Sequence, residues 1–151
     1  MDYTVTQIEN PIVITGIQKK TTNENNQAMQ DIPASWQQFF ALAPTIDAKE
    51  DTNTICLYSD YEKDFTGAYA CTIGYEGTFD HSSPNIITKT IPAGTYARFT
   101  VNGPLPDIVQ QAWAKIWELP LDRTYIADFE QYHAGSSPEN ATVEIFLSIN
   151  Q

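Results

Sequence analysis

Short β-rich runs alternate along this chain with two longer stretches whose apolar residues recur at helical spacing. Ile8 to Ile17 reads as strand interrupted by Pro11, which suits an edge or a bend because proline cannot donate to a ladder. Thr21 to Gln30 is polar and Asn-rich, a loop leading into a helix with Asp31 as N-cap and Pro33 in the first turn. Ile32, Trp36, Phe39 and Phe40 then fall at i, i+4, i+7 and i+8, one face of that helix, which ends at Ala43-Pro44. Thr54 to Asp60 and Gly67 to Tyr75 alternate and predict a hairpin. A symmetric register opposes Asp60 to Gly67, Tyr58 to Tyr69 and Cys56 to Cys71, and a one-residue slip would undo it. Ile86 to Ile91 and Thr95 to Val101 are strands joined at the turn Pro92-Ala93-Gly94. Pro104 to Leu119 predicts a second helix with Val109, Ala112, Trp113, Ile116 and Trp117 on one face, stopped by Pro120. Tyr125 to Tyr132 and Val143 to Ile149 complete the strands.

Both halves therefore repeat the order strand, helix, strand, strand, over approximately residues 3–77 and 84–150. The helices align without a gap at a shift of 77 positions, which lays Ile32 on Val109, Trp36 on Trp113, Phe39 on Ile116, Phe40 on Trp117 and Leu42 on Leu119. This is a weak internal duplication. Strands outnumber helices, so the expected fold is α+β, a largely antiparallel sheet carrying two helices within one domain spanning 1–151.

Composition narrows the function classes. With 151 residues, 42% apolar and 18% charged, the chain can bury one core without disulfides or metals. Nineteen acidic against eight basic residues give a net charge of −11, which excludes direct nucleic-acid binding and an anionic membrane surface as primary partners. No run of about 20 apolar residues exists and the N-terminus carries no secretory pattern, so a cytoplasmic protein is expected. Asn140-Ala141-Thr142 fits the glycosylation pattern and, in that setting, carries no meaning. Cys56 and Cys71 lack any metal-ligand spacing and read as reduced, buried residues; His81 and His133 sit isolated in polar segments. Neither a metal nor a cofactor is expected. The absence of a G-x-S-x-G element, a Cys-His pair and a phosphate loop argues against hydrolytic nucleophiles and nucleotide chemistry.

One ordered series of segments carries more. Ile91-Pro92-Ala93-Gly94-Thr95-Tyr96-Ala97-Arg98-Phe99 runs on to Gly103-Pro104, then to the helix Ala112-Trp113-Ala114-Lys115-Ile116-Trp117-Glu118-Leu119-Pro120. Asp128-Phe129-Glu130-Gln131-Tyr132 and Val143-Glu144-Ile145-Phe146-Leu147 follow. The series resembles the GyrI-like family, the effector-binding domain of many AraC- and MerR-type regulators, over nearly the whole chain. The resemblance implies a curved sheet of two strand-helix-strand-strand repeats about a pseudo-twofold axis, with a cleft between them. It also implies multidrug-type binding of lipophilic cations by aromatic rings around a buried glutamate, here Glu130. A helix-turn-helix cannot be fitted before residue 31, so any transcriptional role implies a separate DNA-binding protein.

A carboxylate in an apolar cleft is unfavourable unless paired, and a cationic ligand supplies the missing charge while aromatic faces add cation–π attraction. The expected ligand-binding set is Glu130 with Trp113, Trp36 and Phe39 from the helices and Tyr58, Tyr69, Phe146 and Tyr132 from the strands. The leading expectation is a binding module for amphipathic cations, acting as a drug or effector sensor or as a sequestering protein. An alternative from the same resemblance is a hydrolase of strained electrophiles, with Glu130 as acid or base beside Tyr132 or Tyr69. A third is an acidic inhibitor of DNA gyrase. A homodimer stays open.

Overall fold

The computed structural model describes residues 1–150, in which every expected strand is present and both helices form. In chain order these are β1 (Thr4–Ile8), β2 (Ile12–Thr22), α1 (Ala28–Leu42), β3 (Thr54–Ser59), β4 (Ala68–Glu76), β5 (Ile87–Ile91), β6 (Gly94–Gly103), α2 (Asp107–Ile116), β7 (Arg123–Tyr132) and β8 (Ala141–Ile149). Local signals misplace some boundaries. Helix α1 begins before Asp31 and includes Pro33, so Asp31 is not its N-cap. Its carboxylate instead accepts hydrogen bonds from Thr21 Oγ1 at 2.8 Å and Gln27 Nε2 at 2.9 Å, tying the first turn to β2. Helix α2 is shorter than its apolar stripe, and Trp117 at its C-cap is 62% exposed.

All eight strands form one antiparallel sheet in the order β1-β6-β8-β7-β3-β4-β2-β5. The halves β2-α1-β3-β4 and β6-α2-β7-β8 meet at the β7–β3 pair, and within each the strands stand first, third, second. Pro11 separates two strands that never pair. β1 extends the second half beside β6, while β5 extends the first half beside β2. Each half is thus completed at its edge by a strand that precedes the other half in the chain.

Alternation along the strands builds two faces. Away from the helices, Ile14, Ile55, Leu57, Ile91, Tyr96, Ala127, Phe129 and Phe146 form a single buried cluster. β5 and β6 stand six places apart in the strand order, about 29 Å in a flat sheet at a spacing of roughly 4.8 Å, yet only Pro92 and Ala93 join them, so the sheet is deeply curled. On the other face, Val109, Ala112 and Ile116 of α2 pack on β6 and β8, while Phe39 of α1 packs on Ile17, Cys56, Cys71 and Ile73. The groove between the helices therefore opens over β3 and β7.

Gly16 and Gly74 oppose each other where β2 crosses β4 on the inside of the curl. A Cβ on Gly16 would stand 1.9 Å from the Ile73 carbonyl oxygen, and one on Gly74 would stand 2.4 Å from that of Thr15. Only backbone surrounds these positions, so nothing can yield without breaking the ladder. Gly16→Ala is expected to lower unfolding free energy by at least about 2 kcal/mol in urea titrations; a loss within about 0.5 kcal/mol would show that the close approach is not required.

Candidate functional site

Alternation on β7 places Asp128, Glu130 and Tyr132 on the helix-facing side of the sheet, and Cys56 and Tyr58 of β3 share that side. The expected hairpin register is shifted by two residues: Cys56 opposes Ile73 and Tyr58 opposes Cys71. An even slip preserves the face, so the residues expected together remain together. Cys56 and Cys71 are free and buried, their Sγ atoms 3.7 Å apart on the diagonal.

Glu130 is 2% exposed and surrounded by donors. Tyr58 Oη and Trp113 Nε1 donate to its Oε2, each at 2.8 Å, and Tyr132 Oη donates to Oε1 at 2.6 Å. Each tyrosine is braced by a tryptophan from one helix. Trp113 of α2 meets Tyr58 edge-to-face at 5.9 Å, and Trp36 of α1 meets Tyr132 in the same way at 5.1 Å. The matched tryptophans of the two halves thus stand on opposite walls of one acid. No Lys, Arg or His forms an ion pair with Glu130 among the described residues. Burial pushes its carboxyl above the usual range, and the three donors oppose that shift without cancelling it. Burial likewise pushes the Tyr58 and Tyr132 hydroxyls far upward, so both remain protonated donors.

Two residues along the same face, Asp128 is fully buried and handled differently. Arg123 Nη2 donates to its Oδ2 at 2.6 Å and Tyr61 Oη donates to the same oxygen at 2.7 Å. Of two neighbouring buried acids, one has a guanidinium partner within the chain and the other has none.

Glu130 lies on the wall of a cavity of about 840 Å3 between the helices. Trp36, Trp113, Tyr58 and Tyr132 line it, with Phe40 at its mouth. A smaller cavity of about 320 Å3 adjoins it across Tyr58 and Trp113 and is lined by Tyr69, Tyr61, Phe65 and Arg123. Two expected wall residues are displaced from either cavity. Phe39 is fully buried against the sheet and edge-on to Tyr75 at 5.1 Å. The apolar arc of α1 spans two faces, with Ile32, Trp36 and Phe40 turned to the cavity and Ser35 and Phe39 turned to the sheet. Phe146 stacks on Phe129 at 4.5 Å on the opposite side of the sheet from Glu130, because the two are register partners.

Sequence reasoning did not single out Phe40, Trp117, Tyr61, Phe65 or Arg123 for the site. Phe40 and Trp117 were visible as stripe members, and Asp128 shares the parity of Glu130. Tyr61 and Phe65 sit in a polar loop, and nothing in the local pattern around Arg123 marks it.

The raised carboxyls of Glu130 and Asp128 have a consequence for stability. The folded chain holds these protons more tightly than the unfolded chain, so the contribution is most favourable below about pH 4.5 and falls as pH rises through each raised value. Above the folded values it is level. Urea unfolding of Glu130→Gln and wild type at pH 4.5 and 7.5 is expected to show a smaller loss with rising pH in the variant. Equal losses would show that the Glu130 carboxyl is not strained by burial.

Comparison with known proteins shows the same overall fold. The family model described as "Integron-associated effector binding protein", Cass2, matches residues 7–149. The chain is 32% identical over 145 residues to YobU of Bacillus subtilis (strain 168), a protein whose name proposes it as a transcriptional regulator; the match covers 90% of this chain and 91% of YobU. The crystal structure of the integron cassette protein VCH_CASS2 of Vibrio cholerae is 28% identical and superposes with a TM-score of 0.77, covering 98% of this chain and 95% of that one. SAV2435, solved bound to tetraphenylphosphonium, shares the fold at 19% identity with a TM-score of 0.75, covering 99% and 94%. No helix among the described residues is long and apolar enough to cross a membrane. A sheet of two strand-helix-strand-strand halves, a cleft between their helices and a family match over nearly the whole length lead to one conclusion: the chain belongs to the Cass2 family of GyrI-like effector-binding proteins.

Proposed function

We propose that the cleft binds lipophilic cations and that Glu130 is the charge partner of the ligand. One observation carries the reading: a buried carboxylate with three donors and no cation of its own. The donors stabilise the anion locally yet leave its net charge in place, and a buried net charge is costly until a counter-charge enters. Asp128 shows how the same fold neutralises an acid when an internal partner is used. At Glu130 that place is left to a ligand.

The walls suit such a ligand. Trp36, Trp113, Tyr58 and Tyr132 present aromatic surface around the acid, and each ring face offers a cation about 0.5–2 kcal/mol. Each hydrogen bond to the carboxylate also polarises its ring toward the negative charge, so a cation is attracted through the rings as well as by direct approach. The larger cavity lies in the usual range for drug-sized ligands. The structure of SAV2435 with tetraphenylphosphonium supports this class of ligand for the fold. Selection by charge sign and apolar bulk favours a sensor or sequestering protein with broad specificity. The name of YobU, which proposes a transcriptional regulator, supports the sensor.

The test uses paired ligands. Tetraphenylphosphonium is expected to bind wild type and to bind Glu130→Gln at least about tenfold more weakly, a difference of about 1.4 kcal/mol. The neutral isostere tetraphenylmethane carrying a solubilising ether is expected to bind both proteins equally. Tryptophan fluorescence from Trp36, Trp113 and Trp117, all of which line the cavity, follows both titrations. Equal loss for the two ligands, or no loss for either, would contradict charge pairing at Glu130.

A further inference from the structure

The smaller cavity is built by features that the cation site does not require. Strand β7 loses register with β8 between Arg123 and Asp128. Within that irregular segment Tyr125 adopts φ 55°, a left-handed conformation that a bulky residue rarely takes. Irregularities of this kind re-aim side chains and cluster at functional sites. Here the segment folds Arg123 back along its own strand, with the guanidinium 4.3 Å from the centre of the Tyr125 ring and one nitrogen on Asp128. The Tyr125 ring is held in turn by Tyr61 at 5.6 Å and Phe65 at 6.4 Å. The result is an arginine fixed at the wall of a small aromatic lobe.

That arginine is only partly satisfied. Nη2 is engaged by Asp128, Nε and Asp128 Oδ1 are both buried without a hydrogen-bond partner, and no hydrogen bond from Nη1 is present among the described residues. Nε is shut off from the lobe by its burial, so the donor that a ligand can reach is Nη1, and an arginine fixed at a cavity wall with this donor to spare points to an acceptor that arrives from outside. Its charge is already balanced by Asp128. The lobe therefore offers hydrogen bonds without a net positive charge, and it suits a neutral acceptor better than a carboxylate.

We propose that the smaller lobe is a second subsite, which receives an uncharged acceptor group, a carbonyl or ester oxygen, at the far end of the same cationic ligand. The lobes share Tyr58, Trp113 and Gln110 as common walls, so one molecule can occupy both. Asp128 and Glu130 mark the two ends along β7, and two strand residues span about 7 Å. The ligand class is thus an elongated amphipathic cation whose charge and acceptor are separated by roughly this distance. The proposal rests on the cation reading of Glu130.

Three probes separate the two readings by isothermal titration: heptyltriphenylphosphonium, its isosteric methyl pentanoate ester, and the corresponding free acid. Wild type is expected to bind the ester about fivefold more tightly than the heptyl compound, the net worth of roughly one hydrogen bond, and to bind the acid no more tightly than the ester. Glu130→Gln is expected to weaken heptyl and ester alike and to keep their ratio. The double variant Arg123→Gln, Asp128→Asn removes both charges of the pair together and is expected to abolish the ester advantage while heptyl binding remains. Arg123→Lys keeps a charge for Asp128, removes the fork, and is expected to reduce the advantage. Equal binding of ester and heptyl compound by wild type would overturn the second subsite while leaving the cation site intact. An ester advantage that survives in the double variant, or an acid that binds most tightly, would overturn it as well. No binding of any phosphonium would overturn both readings.

Discussion

The fold holds a carboxylate away from water without giving it a counter-charge. Burial alone would drive Glu130 to protonate, and the hydroxyls of Tyr58 and Tyr132 with the indole of Trp113 oppose this by donating to both oxygens. Every wall of the cleft follows from that requirement. The donors must be aromatic to exclude water, they must come from β3, β7 and α2 to surround the acid, and a tryptophan must brace each tyrosine. The duplicated architecture supplies this symmetrically, because the two halves meet at the β7–β3 pair and each contributes a helix to one side. The curl of the sheet, in which β2 and β4 come close at Gly16 and Gly74, gathers the opposite face into its own core and leaves the helix-facing groove free for the site.

The neighbouring acid shows the alternative solution. Asp128 sits on the same strand face and equally far from water, yet Arg123 and Tyr61 meet it from within the chain. An internal ion pair makes that end of the groove electrically neutral. The contrast gives the groove a direction, with an acid that has no counter-charge under the larger cavity and an ion pair beside the smaller one. On the proposed reading, a ligand with one cationic end takes a preferred orientation before any contact with the rim. Phe40 and Trp117, both exposed at that rim, add apolar surface without changing the polarity of the groove.

Much of this was legible in the sequence, and the failures have physical causes. The strand-helix-strand-strand repeat followed from periodicity, and the Trp36–Trp113 match pointed to the duplication. The parity of Asp128, Glu130 and Tyr132 is a property of any strand. Phe39 was misplaced because a broad apolar arc on a helix serves two directions, toward the sheet and toward the cleft, and spacing alone does not divide them. Phe146 was misplaced because β8 is buried on both sides, so alternation no longer marks the face that meets a ligand. The Cys56–Cys71 register slipped by two because the loop Tyr61 to Gly67 does not enforce a symmetric turn. Arg123 was invisible, since its position depends on a backbone irregularity at Tyr125 that the residues around it do not announce.

The most direct measurement is the ionisation of Glu130 itself, followed by carbon-13 NMR of its side-chain carboxyl across a pH titration, with and without tetraphenylphosphonium. A carboxylate that is buried, hydrogen-bonded and unpaired must titrate above the ordinary glutamate value in the free protein. A cation that pairs with its charged form must draw that value down when bound. An ordinary value in the free protein, or a raised value unmoved by the cation, would contradict the claim that this acid waits for a counter-charge.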